Sequence, residues 1–413
     1  MRSKWAVLLS IALAGAMTGS AQEKVIKVGT LFPLTGPVAL AGERCKAAVE
    51  TMAEVINNSH PGVNLGLPKQ GILGGYKIVL INADTQGKPD VAKSEAERLY
   101  NQEGVYAIIG CYNSSCTKPA SAVAERINKI FLAGCASSSA LTERGLKNFF
   151  RLCPTDRTES IQYAEYFKEL NRQFPGSIKT VGLIYENSEF GVHAANEAAT
   201  ACKAAGMTVV ADVPFSSGAT NLNSEIQTMK SKNPDAVVAA CLGGDYTLWV
   251  RGMKLMGLAP KAIMNFCSGY QDPIIAKQLG GDGNYFLGSS GYSPEIAAKY
   301  MKDVAPLEAI YRTKTNVEFD SDSIQEAAAL YILAQAIDKA KTLDTNKVVD
   351  TIRNTVWDSP LSLGGKIAFD ANGQNTKATE IITQLKNLAY VSLYPQAYSE
   401  AKVTFPFPGW DKR

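Results

Sequence analysis

The chain is poor in the side chains on which most hydrolases and metalloenzymes depend. Only two of its 413 residues are histidines, His60 and His193. It has no Gly-x-Ser-x-Gly elbow, no phosphate-binding P-loop and no Gly-x-Gly-x-x-Gly turn after an expected strand. The motifs of an exported hydrolase and of a nucleotide-dependent enzyme are therefore missing. We predict a protein that is not an enzyme and that carries no cofactor.

Long apolar runs are also missing after the first residues of the chain. Residues 1–21 carry Arg2 and Lys4, then an apolar stretch from Trp5 to about Ala14, and they end in small residues. This order is typical of a secretory signal peptide, and the stretch is shorter than the roughly 20 residues of a membrane-spanning helix. We predict cleavage near Ala21 and an exported protein, with an uncleaved membrane anchor as the alternative.

Charges of the two signs nearly balance. The formal net charge is +3, and removal of residues 1–21 lowers it to +1, because two basic residues and no acidic residue leave. So small a charge gives no electrostatic reason for binding nucleic acid or a membrane surface. The remaining chain exceeds the size that a single hydrophobic core usually holds, which predicts two lobes.

The role of the cysteines stays open at the level of the sequence. Cysteines of an exported protein form disulfides, but the possible pairings here are too many for the spacing to choose among them. Several lie in apolar runs such as AVVAACL, where cysteine serves as a small buried residue. No metal site is predicted, since Cys111 and Cys116 do not form a Cys-x-x-Cys pair and histidines are scarce. The eight cysteines are Cys45, Cys111, Cys116, Cys135, Cys153, Cys202, Cys241 and Cys267.

From residue 24 onwards, apolar runs of strand length alternate with longer helical patterns. This alternation is typical of an α/β protein with parallel sheets flanked by helices. One series of runs includes KVIKVGTLFPL and IFLAG, and a second series begins at TVGLIYE (180–186). Pro154 interrupts the pattern between them, within FFRLCPTDRTES (149–160). We therefore predict two similar lobes, with further helices over about 294–315 and 322–341 and a hairpin over 378–394.

Two hydroxyl-rich turns follow neighbouring strands of the expected sheet, in IIGCYNSSCTKPAS (108–121) and IFLAGCASSSALT (130–142). In open parallel sheets, ligands bind at the carboxyl ends of the strands, where helix N-termini and hydroxyl groups favour anions. Serines also cap helices, so either turn alone leaves both interpretations open. Two such turns favour a cradle for a carboxylate. Its candidate residues are Ser114, Ser115, Thr117, Ala136, Ser137 and Ser138.

Four stretches together resemble the periplasmic solute-binding proteins of the branched-chain amino-acid uptake family. They are VGTLFPLTGPVALAGE, IIGCYNSSCTKPAS, LAGCASSSALT and YENSEFGVHAANEA, and they occur in the family's order. The resemblance covers essentially the whole chain after the signal peptide. It implies a type I periplasmic-binding fold, in which three crossovers join two Rossmann-like lobes that close on a small solute.

The same resemblance implies a division of the chain and a set of partners. The implied first lobe comprises residues 22–154 and about 288–370, and the implied second lobe comprises residues 155–287 and about 371–413. The implied protein is a monomer in the periplasm that captures an amino acid and delivers it to the membrane subunits of an ABC permease. A sensor that reports the bound solute to a membrane partner is the alternative within this fold.

Matching the family's motifs to the chain assigns roles to individual residues. Ser114 is expected to bond the solute carboxylate through its hydroxyl and backbone, while Cys135 and Ser137 contact the solute's polar end. Phe190, in SEFG, occupies the place of an aromatic wall in the second lobe, and a core aromatic is its alternative role. Ala41 stands where family members often carry a larger side chain, which indicates a roomier pocket.

The second lobe departs from the family at the residue that pairs with a solute ammonium. The family's amino-acid binders place a carboxylate after the strand that here reads IMNFC, whereas this chain continues with Ser268 and has no acid before Asp272. A buried ammonium without a partner costs several kcal/mol. Asp245, after another strand of the second lobe, is the candidate replacement, with a helix cap as its alternative role. Aromatic carboxylates, short amides and urea-like solutes therefore remain alternatives to an amino acid.

Overall fold

The computed structural model describes residues 24–68 and 71–411. The expected signal peptide, residues 1–21, lies outside the described residues. Two sheets, each covered by helices, define the two lobes, so the α/β class with two mainly parallel sheets is confirmed. Within the described ranges, none of the helices combines the length and the apolar character that crossing a membrane requires.

The first lobe is built on a fully parallel sheet. Its strands are β1 (Val25–Phe32), β2 (Lys77–Asp84), β3 (Ala107–Gly110), β4 (Ile130–Ala133) and β5 (Phe149–Arg151), in the order β2-β1-β3-β4-β5. Strands β3 and β4 are buried along their whole length, as expected when helices cover both faces of a parallel sheet. The helices that alternate with these strands are α1 (Ala39–Asn57), α2 (Pro89–Asn101) and α3 (Ser114–Arg126).

The second lobe repeats the alternation and then adds an antiparallel edge. Its first strands are β6 (Thr180–Glu186), β7 (Thr208–Phe215), β8 (Ala236–Ala240), β9 (Ala262–Asn265) and β10 (Leu287–Ser290). After a separate ribbon of β11 (Trp357–Asp358) and β12 (Lys366–Ile367), the sheet is completed by β13 (Ile381–Lys386) and β14 (Ala389–Tyr394). The order is β14-β13-β10-β9-β8-β6-β7. Strands β13 and β14 form the expected hairpin, which is confirmed, and Asn387 and Leu388 turn it with φ of 51° and 67°.

The remaining helices complete both lobes. Those from α4 to α9 are α4 (Asp156–Gln173), α5 (Glu189–Ala204), α6 (Asn223–Lys232), α7 (Gly243–Met256), α8 (Cys267–Tyr270) and α9 (Pro273–Leu279). They are followed by α10 (Pro294–Tyr300), α11 (Ala305–Thr315), α12 (Ser321–Ala340) and α13 (Thr345–Asn354). The expectation of one helix over 294–315 is wrong, because Met301 leaves the helical conformation with φ −134° and ψ 47°. Pro306 then lies in the first turn of α11, where proline is tolerated.

Helix α12 returns to the first lobe after β10 and packs against α1, β3 and β4. Within the described residues, the chain thus crosses between the lobes after β5, after β10 and before β13. The expected boundary near residue 288 divides β10, although this strand pairs with β9 and β13 of the second sheet, so our proposed division places it after Ser290. Gln374 and Asn375 form hydrogen bonds with Arg151 and Leu152 of the first lobe. The proposed boundary that was expected near residue 370 therefore moves beyond Asn375.

Candidate functional site

The facing edges of the two lobes touch each other at the loop between β1 and α1. A side chain at Gly243 would come within 3.3 Å of the carbonyl oxygen of Pro37, and one at Gly218 within 3.2 Å of the Pro37 ring. Across the same gap, Lys118 of α3 and Glu189 of α5 form an ion pair of 3.0 Å. The carboxyl ends of the two sets of parallel strands therefore face one another at close range, in a closed arrangement of the lobes.

The first hydroxyl-rich turn contacts the second one directly. Helix α3 begins at Ser114, after Tyr112 with φ 73° and the extended N-cap residue Asn113. Ser114 is 2% exposed, and Ser115 is half-buried. The backbone amide of Ser138, in the second turn, donates a hydrogen bond of 3.3 Å to the Ser114 hydroxyl oxygen. The two turns are thus neighbours, as a common cradle requires.

Two buried charged residues hold the backbone of the second turn. Arg151, at the end of β5, donates to the carbonyl oxygens of Ala136 at 3.2 Å and Ser138 at 2.5 Å. Asp156, the first residue of α4, donates its backbone amide to the carbonyl oxygen of Ser137 at 3.0 Å. The sequence interpretation missed both residues, since each lies in a different part of the chain from the turn. These bonds fix the positions of carbonyl oxygens in the second turn.

The hydroxyl groups of the two turns keep unused hydrogen-bonding capacity. Ser138 Oγ and the Tyr112 hydroxyl are buried and have no hydrogen-bond partner within the described residues. Among the same residues, the hydroxyl of Ser137, which is 6% exposed, makes no hydrogen bond, and that of Ser114 donates none. Buried polar groups are nearly always bonded. Unpaired hydroxyls around one turn are therefore consistent with a place that binds a polar group.

Cys135 bonds within the protein, and its contact with a solute stays a prediction. Its backbone amide and its thiol both lie 3.2 Å from Oε1 of Glu326 in α12, and the amide donates to that carboxylate. In this conformation the amide and the thiol of Cys135 are therefore both hydrogen-bonded within the protein. The sequence could not reveal this pair, because the two residues are 191 positions apart.

Phe190 and Ser268 differ in burial, since Phe190 is buried and Ser268 is half-buried. Phe190 is 5% exposed, and its ring centroid lies 6.0 Å from that of Phe266 at an interplanar angle of 88°. This edge-to-face packing favours the core role, and an aromatic wall for the solute stays a prediction. Ser268 is half-buried in α8 and makes no side-chain hydrogen bond within the described ranges. Its contact with a solute also stays a prediction.

Asp245 does not cap a helix. The residue before α7 is Leu242, and no side chain caps this helix. The carboxylate of Asp245, in the first turn of α7, instead accepts a hydrogen bond of 3.1 Å from the backbone amide of Gly218. Asp245 is only 4% exposed, and burial raises the pKa of its carboxyl group. The alternative role as a cap is therefore wrong.

Glu186, the last residue of β6, is an acidic neighbour of Asp245 that the sequence interpretation missed. It is 2% exposed. The Ser188 hydroxyl donates to its Oε1 at 2.5 Å, whereas its Oε2 has no hydrogen-bond partner among the described residues. Burial raises the pKa of Glu186 to about 7, and the Asp245 carboxylate acts in the same direction. An acid that ends an otherwise apolar strand, as in TVGLIYE, is the signal that could have identified it.

Arg44 joins the two lobes through a buried ion triad. Its Nη2 lies 2.8 Å from Oδ2 of Asp272, and its Nε lies 2.9 Å from Oδ2 of Asp320. Asp272 caps α9 in the second lobe, and Asp320 caps α12 in the first. Asp272 is the first acid after β9, but its two oxygens are occupied by the α9 amides and by Arg44. It is therefore not placed to pair with a solute ammonium.

Further carboxyl groups are buried where the chain crosses between the lobes. They belong to Glu159 of α4, Asp322 and Glu326 of α12, and Glu380 just before β13; Ser289 donates to Glu159 at 3.0 Å. Burial raises the pKa of Glu326 and of Glu380 to about 7, and it raises the pKa values of Glu159 and Asp322 well above their usual range. The crossing region thus carries carboxyl groups that titrate near neutral pH.

We expect the unliganded protein to be more heat-stable at pH 5.5 than at pH 8.0. A carboxyl group whose pKa is raised on folding stabilises the folded state fully below its unfolded pKa, and this contribution is lost as pH rises through the folded pKa. For Glu326 and Glu380 this window extends from the ordinary value of 4.5 to about 7. Calorimetry should show a midpoint that falls by several degrees between the two pH values.

The variant Glu326→Gln/Glu380→Gln provides the control for this titration. Its midpoint should change less between pH 5.5 and pH 8.0, because glutamine keeps the volume and cannot ionise. If the wild-type midpoint were equal or higher at pH 8.0, the titration of these two groups would not govern stability in this range.

The cysteines whose side chains the structure describes are buried and unpaired. They are Cys45, Cys111, Cys116, Cys135, Cys153, Cys202 and Cys241. Burial raises the pKa of each thiol, which disfavours the reactive thiolate. For these seven, the structure agrees with the interpretation as small buried residues. Within the described part of the chain, no group of three or more metal-binding side chains is placed to hold a metal ion.

Comparisons with known proteins agree with this architecture. Residues 25–388 match a family model described as periplasmic binding protein. Over 413 residues the chain is 26% identical to Leu/Ile/Val-binding protein homolog 7 of Brucella suis biovar 1 (strain 1330), covering 98% of this chain and 99% of that protein.

Two solved structures show the same fold. A leucine-binding protein of Thermotoga maritima MSB8 has a TM-score of 0.77 and 21% identity, covering 89% of this chain and 98% of its own. A solute-binding protein of an ABC transporter from Rhodopseudomonas palustris BisB5, in complex with 3,4-dihydroxybenzoic acid, has a TM-score of 0.75 and 19% identity, covering 88% of this chain and 94% of its own.

Proposed function

This chain belongs to the periplasmic binding protein family, and from that premise we propose that it captures an amino acid for an ABC importer. The family consists of solute-binding proteins and not of enzymes. In the proposed cycle, the lobes close on the solute by a hinge motion at the crossovers, and the membrane subunits of the permease bind the closed form. We place the mature protein in the periplasm as a monomer.

The observation that carries this proposal is the contact between the two hydroxyl-rich turns. The bond from the Ser138 amide to the Ser114 hydroxyl brings the turns after β3 and β4 to one place. Hydroxyl donors from Ser114 and Ser137 then converge beside the N-terminus of α3, where the helix dipole favours an anion. Such a cradle suits the carboxylate of an amino acid.

Asp245 supports an amino acid over a plain carboxylic acid. The relatives differ on this point, since the Thermotoga protein is a leucine-binding protein and the Rhodopseudomonas protein was solved with 3,4-dihydroxybenzoic acid. Both solutes carry a carboxylate, and only leucine carries an amine. Asp245 is a buried carboxylate that forms no ion pair within the described residues, so it suits an ammonium group. An aromatic carboxylate is the second candidate.

A thermal-shift screen tests the proposed function. It should use pairs that differ only in the amine: L-leucine with 4-methylpentanoate, and L-phenylalanine with 3-phenylpropanoate, together with 4-hydroxybenzoate. Bound solutes stabilise the folded state, so the midpoint should rise with at least one amino acid. A protein that responds to none of these solutes would contradict the proposal.

The variant Asp245→Asn should distinguish the two candidate solute classes. Loss of a charge-assisted hydrogen bond should lower the affinity for an amino acid by roughly 10- to 100-fold. The affinity for the matching acid without an amine should change by less than about 3-fold. Isothermal titration gives both affinities. Equal losses for the two members of a pair would assign Asp245 a structural role instead.

A further inference from the structure

We propose that Glu186 acts with Asp245 as a two-carboxylate site that selects solutes bearing a protonated amine beside their carboxylate. This inference rests on the proposed function and deepens it, because it names the chemical group that the second lobe recognises. It also assigns a role to Glu186, which lies at the end of a strand outside the hydroxyl cradle.

The fold brings the two carboxylates together at the edge of the second sheet. Strands β6 and β8 are neighbours, with Tyr185 beside Ala240, so the residues that follow them end side by side. Asp245 follows β8 but bonds the amide of Gly218, in the loop after β7. Because β6 lies between β8 and β7 in the sheet, the Asp245 carboxylate reaches across the end of β6, where Glu186 lies. Ligands of open parallel sheets bind at such strand ends.

The pair also faces the first lobe. Gly243 and Gly218 flank Asp245, one at the start of α7 and one through the hydrogen bond to its carboxylate. Both glycines lie against Pro37 of the first lobe. A group held at the Glu186–Asp245 pair is therefore at the boundary between the lobes, on the side opposite to the cradle.

Neither carboxylate has a cation of its own. Within residues 24–68 and 71–411, no lysine, arginine or histidine forms an ion pair with Glu186 or Asp245, although Glu186 is 2% and Asp245 is 4% exposed. Buried carboxylates are stable only when they are paired, hydrogen-bonded or protonated. Asp272 and Asp320, which are equally buried, share Arg44. Glu326 and Glu380 of the crossing region also lack a cation, but Glu186 and Asp245 lie at strand ends on the boundary between the lobes, where a solute can supply the cation.

Glu186 shares an unpaired buried oxygen with Glu326 and Glu380 of the crossing region, and what distinguishes it is its place at a strand end beside Asp245. Glu326 accepts hydrogen bonds from the amide and the thiol of Cys135, and Glu159 accepts them from Ser289 and Tyr163. Glu186 has the Ser188 hydroxyl on Oε1, and its buried Oε2 has no partner in hydrogen-bond geometry among the described residues, although the Ser217 hydroxyl is near enough to both carboxylates to lower their pKa values. An ammonium has three donors and can serve this oxygen and Asp245 together.

The raised pKa values of the buried groups at this place agree with the assignment. Burial raises the pKa of Glu186 to about 7 and that of Asp245 above its usual range. The Cys241 thiol lies beside both carboxylates, and burial raises its pKa, so it stays neutral and supplies no competing charge. Strongly perturbed carboxyl groups in a cleft are typical of functional sites.

A matched pair of variants tests the inference. Glu186→Gln keeps the acceptor for Ser188 and removes the charge. Glu189→Gln, at the start of α5, removes a charge that already pairs with Lys118 at the rim of the same cleft. Isothermal titration should use L-leucine with 4-methylpentanoate and L-phenylalanine with 3-phenylpropanoate, with the full mature chain in each case.

In the wild type, the amino acid of at least one pair should bind at least about 10-fold more tightly than its amine-free partner, as expected for a charge-assisted bond. Glu186→Gln should reduce this preference by about 10-fold or more and leave the affinity for the amine-free acid within about 3-fold. Glu189→Gln should keep the wild-type preference. The unliganded Glu186→Gln protein should unfold at the wild-type temperature or above it, because a buried carboxyl group has been removed.

Four results would overturn the inference. Equal weakening of both members of a pair by Glu186→Gln would show a structural role, and the same loss of preference in Glu189→Gln would show a general effect of charge at the rim. If the wild type bound the amine-free acids as tightly as the amino acids, the protein would be a carboxylate-binding protein that does not select for an amine. A wild type that binds none of the four probes would remove the proposed function as well.

Discussion

Replacement of both Ser114 and Ser137 by alanine is expected to weaken solute binding by about two to four orders of magnitude. In the proposed cradle, the two hydroxyls are the donors for a carboxylate. The loss of two charge-assisted hydrogen bonds costs on the order of 3–6 kcal/mol. Isothermal titration with the amino acid that gives the largest thermal shift measures this change directly.

The buried position of Ser114 makes a control for folding necessary. Its hydroxyl oxygen also accepts a hydrogen bond from the Ser138 amide, so the double variant loses one internal bond. Ser121→Ala is the matched control, since Ser121 is a buried serine of the same helix whose hydroxyl donates to the Thr117 carbonyl oxygen at 2.6 Å. It should keep wild-type affinity. Unchanged affinity in the double variant, with a folded protein, would refute the cradle.

Replacement of Arg44 by methionine is expected to lower the free energy of unfolding by about 3–5 kcal/mol. Arg44 is buried between Asp272 of the second lobe and Asp320 of the first, at 2.8 and 2.9 Å. Methionine fills a similar volume but leaves two buried carboxylates without a counter-ion, and removal of one partner from a buried ion pair is strongly destabilising. Urea unfolding followed by fluorescence measures the change.

An exposed ion pair of the first lobe supplies the comparison for Arg44. Arg126 and Glu97 are 2.9 Å apart with side-chain exposures of 60% and 39%, so Arg126→Met should cost less than about 1 kcal/mol. Addition of Asp272→Asn to Arg44→Met should restore part of the lost stability, because asparagine keeps the acceptor for the α9 amides without the charge. A loss below about 1 kcal/mol for Arg44→Met would show that the triad contributes little to holding the lobes.

The strands and the two hydroxyl-rich turns were the most predictable parts of the molecule. The run TVGLIYE became β6 at the expected residues, because a buried parallel strand needs a continuous apolar run. The turns after β3 and β4 were identified from serines that follow such runs. By contrast, β5 and α13 were not expected. Strand β5 has only three residues. Helix α13 has ten residues and buries only Val348, Val349 and Ile352, so neither element gives a long periodic signal.

The charged residues of the site were the least predictable. Cys135, which was expected to contact a solute, bonds to Glu326, and Asp245 proved not to be the cap that the sequence left open. Glu186 was passed over because a single acid at the end of a strand is not a motif. In each case the partner lies far along the chain, where no local pattern records it.

By itself, the sequence determined the alternation of strands and helices, the signal-peptide pattern and the two hydroxyl-rich turns, because each is set by side chains within a few residues of one another. Only the tertiary structure decided which buried charges are compensated. Arg44 meets Asp272 and Asp320 from 228 and 276 positions away, whereas Glu186 and Asp245 have no cation within the described residues. Charge compensation depends on distance in space and on exclusion of water, and the folded chain alone sets both.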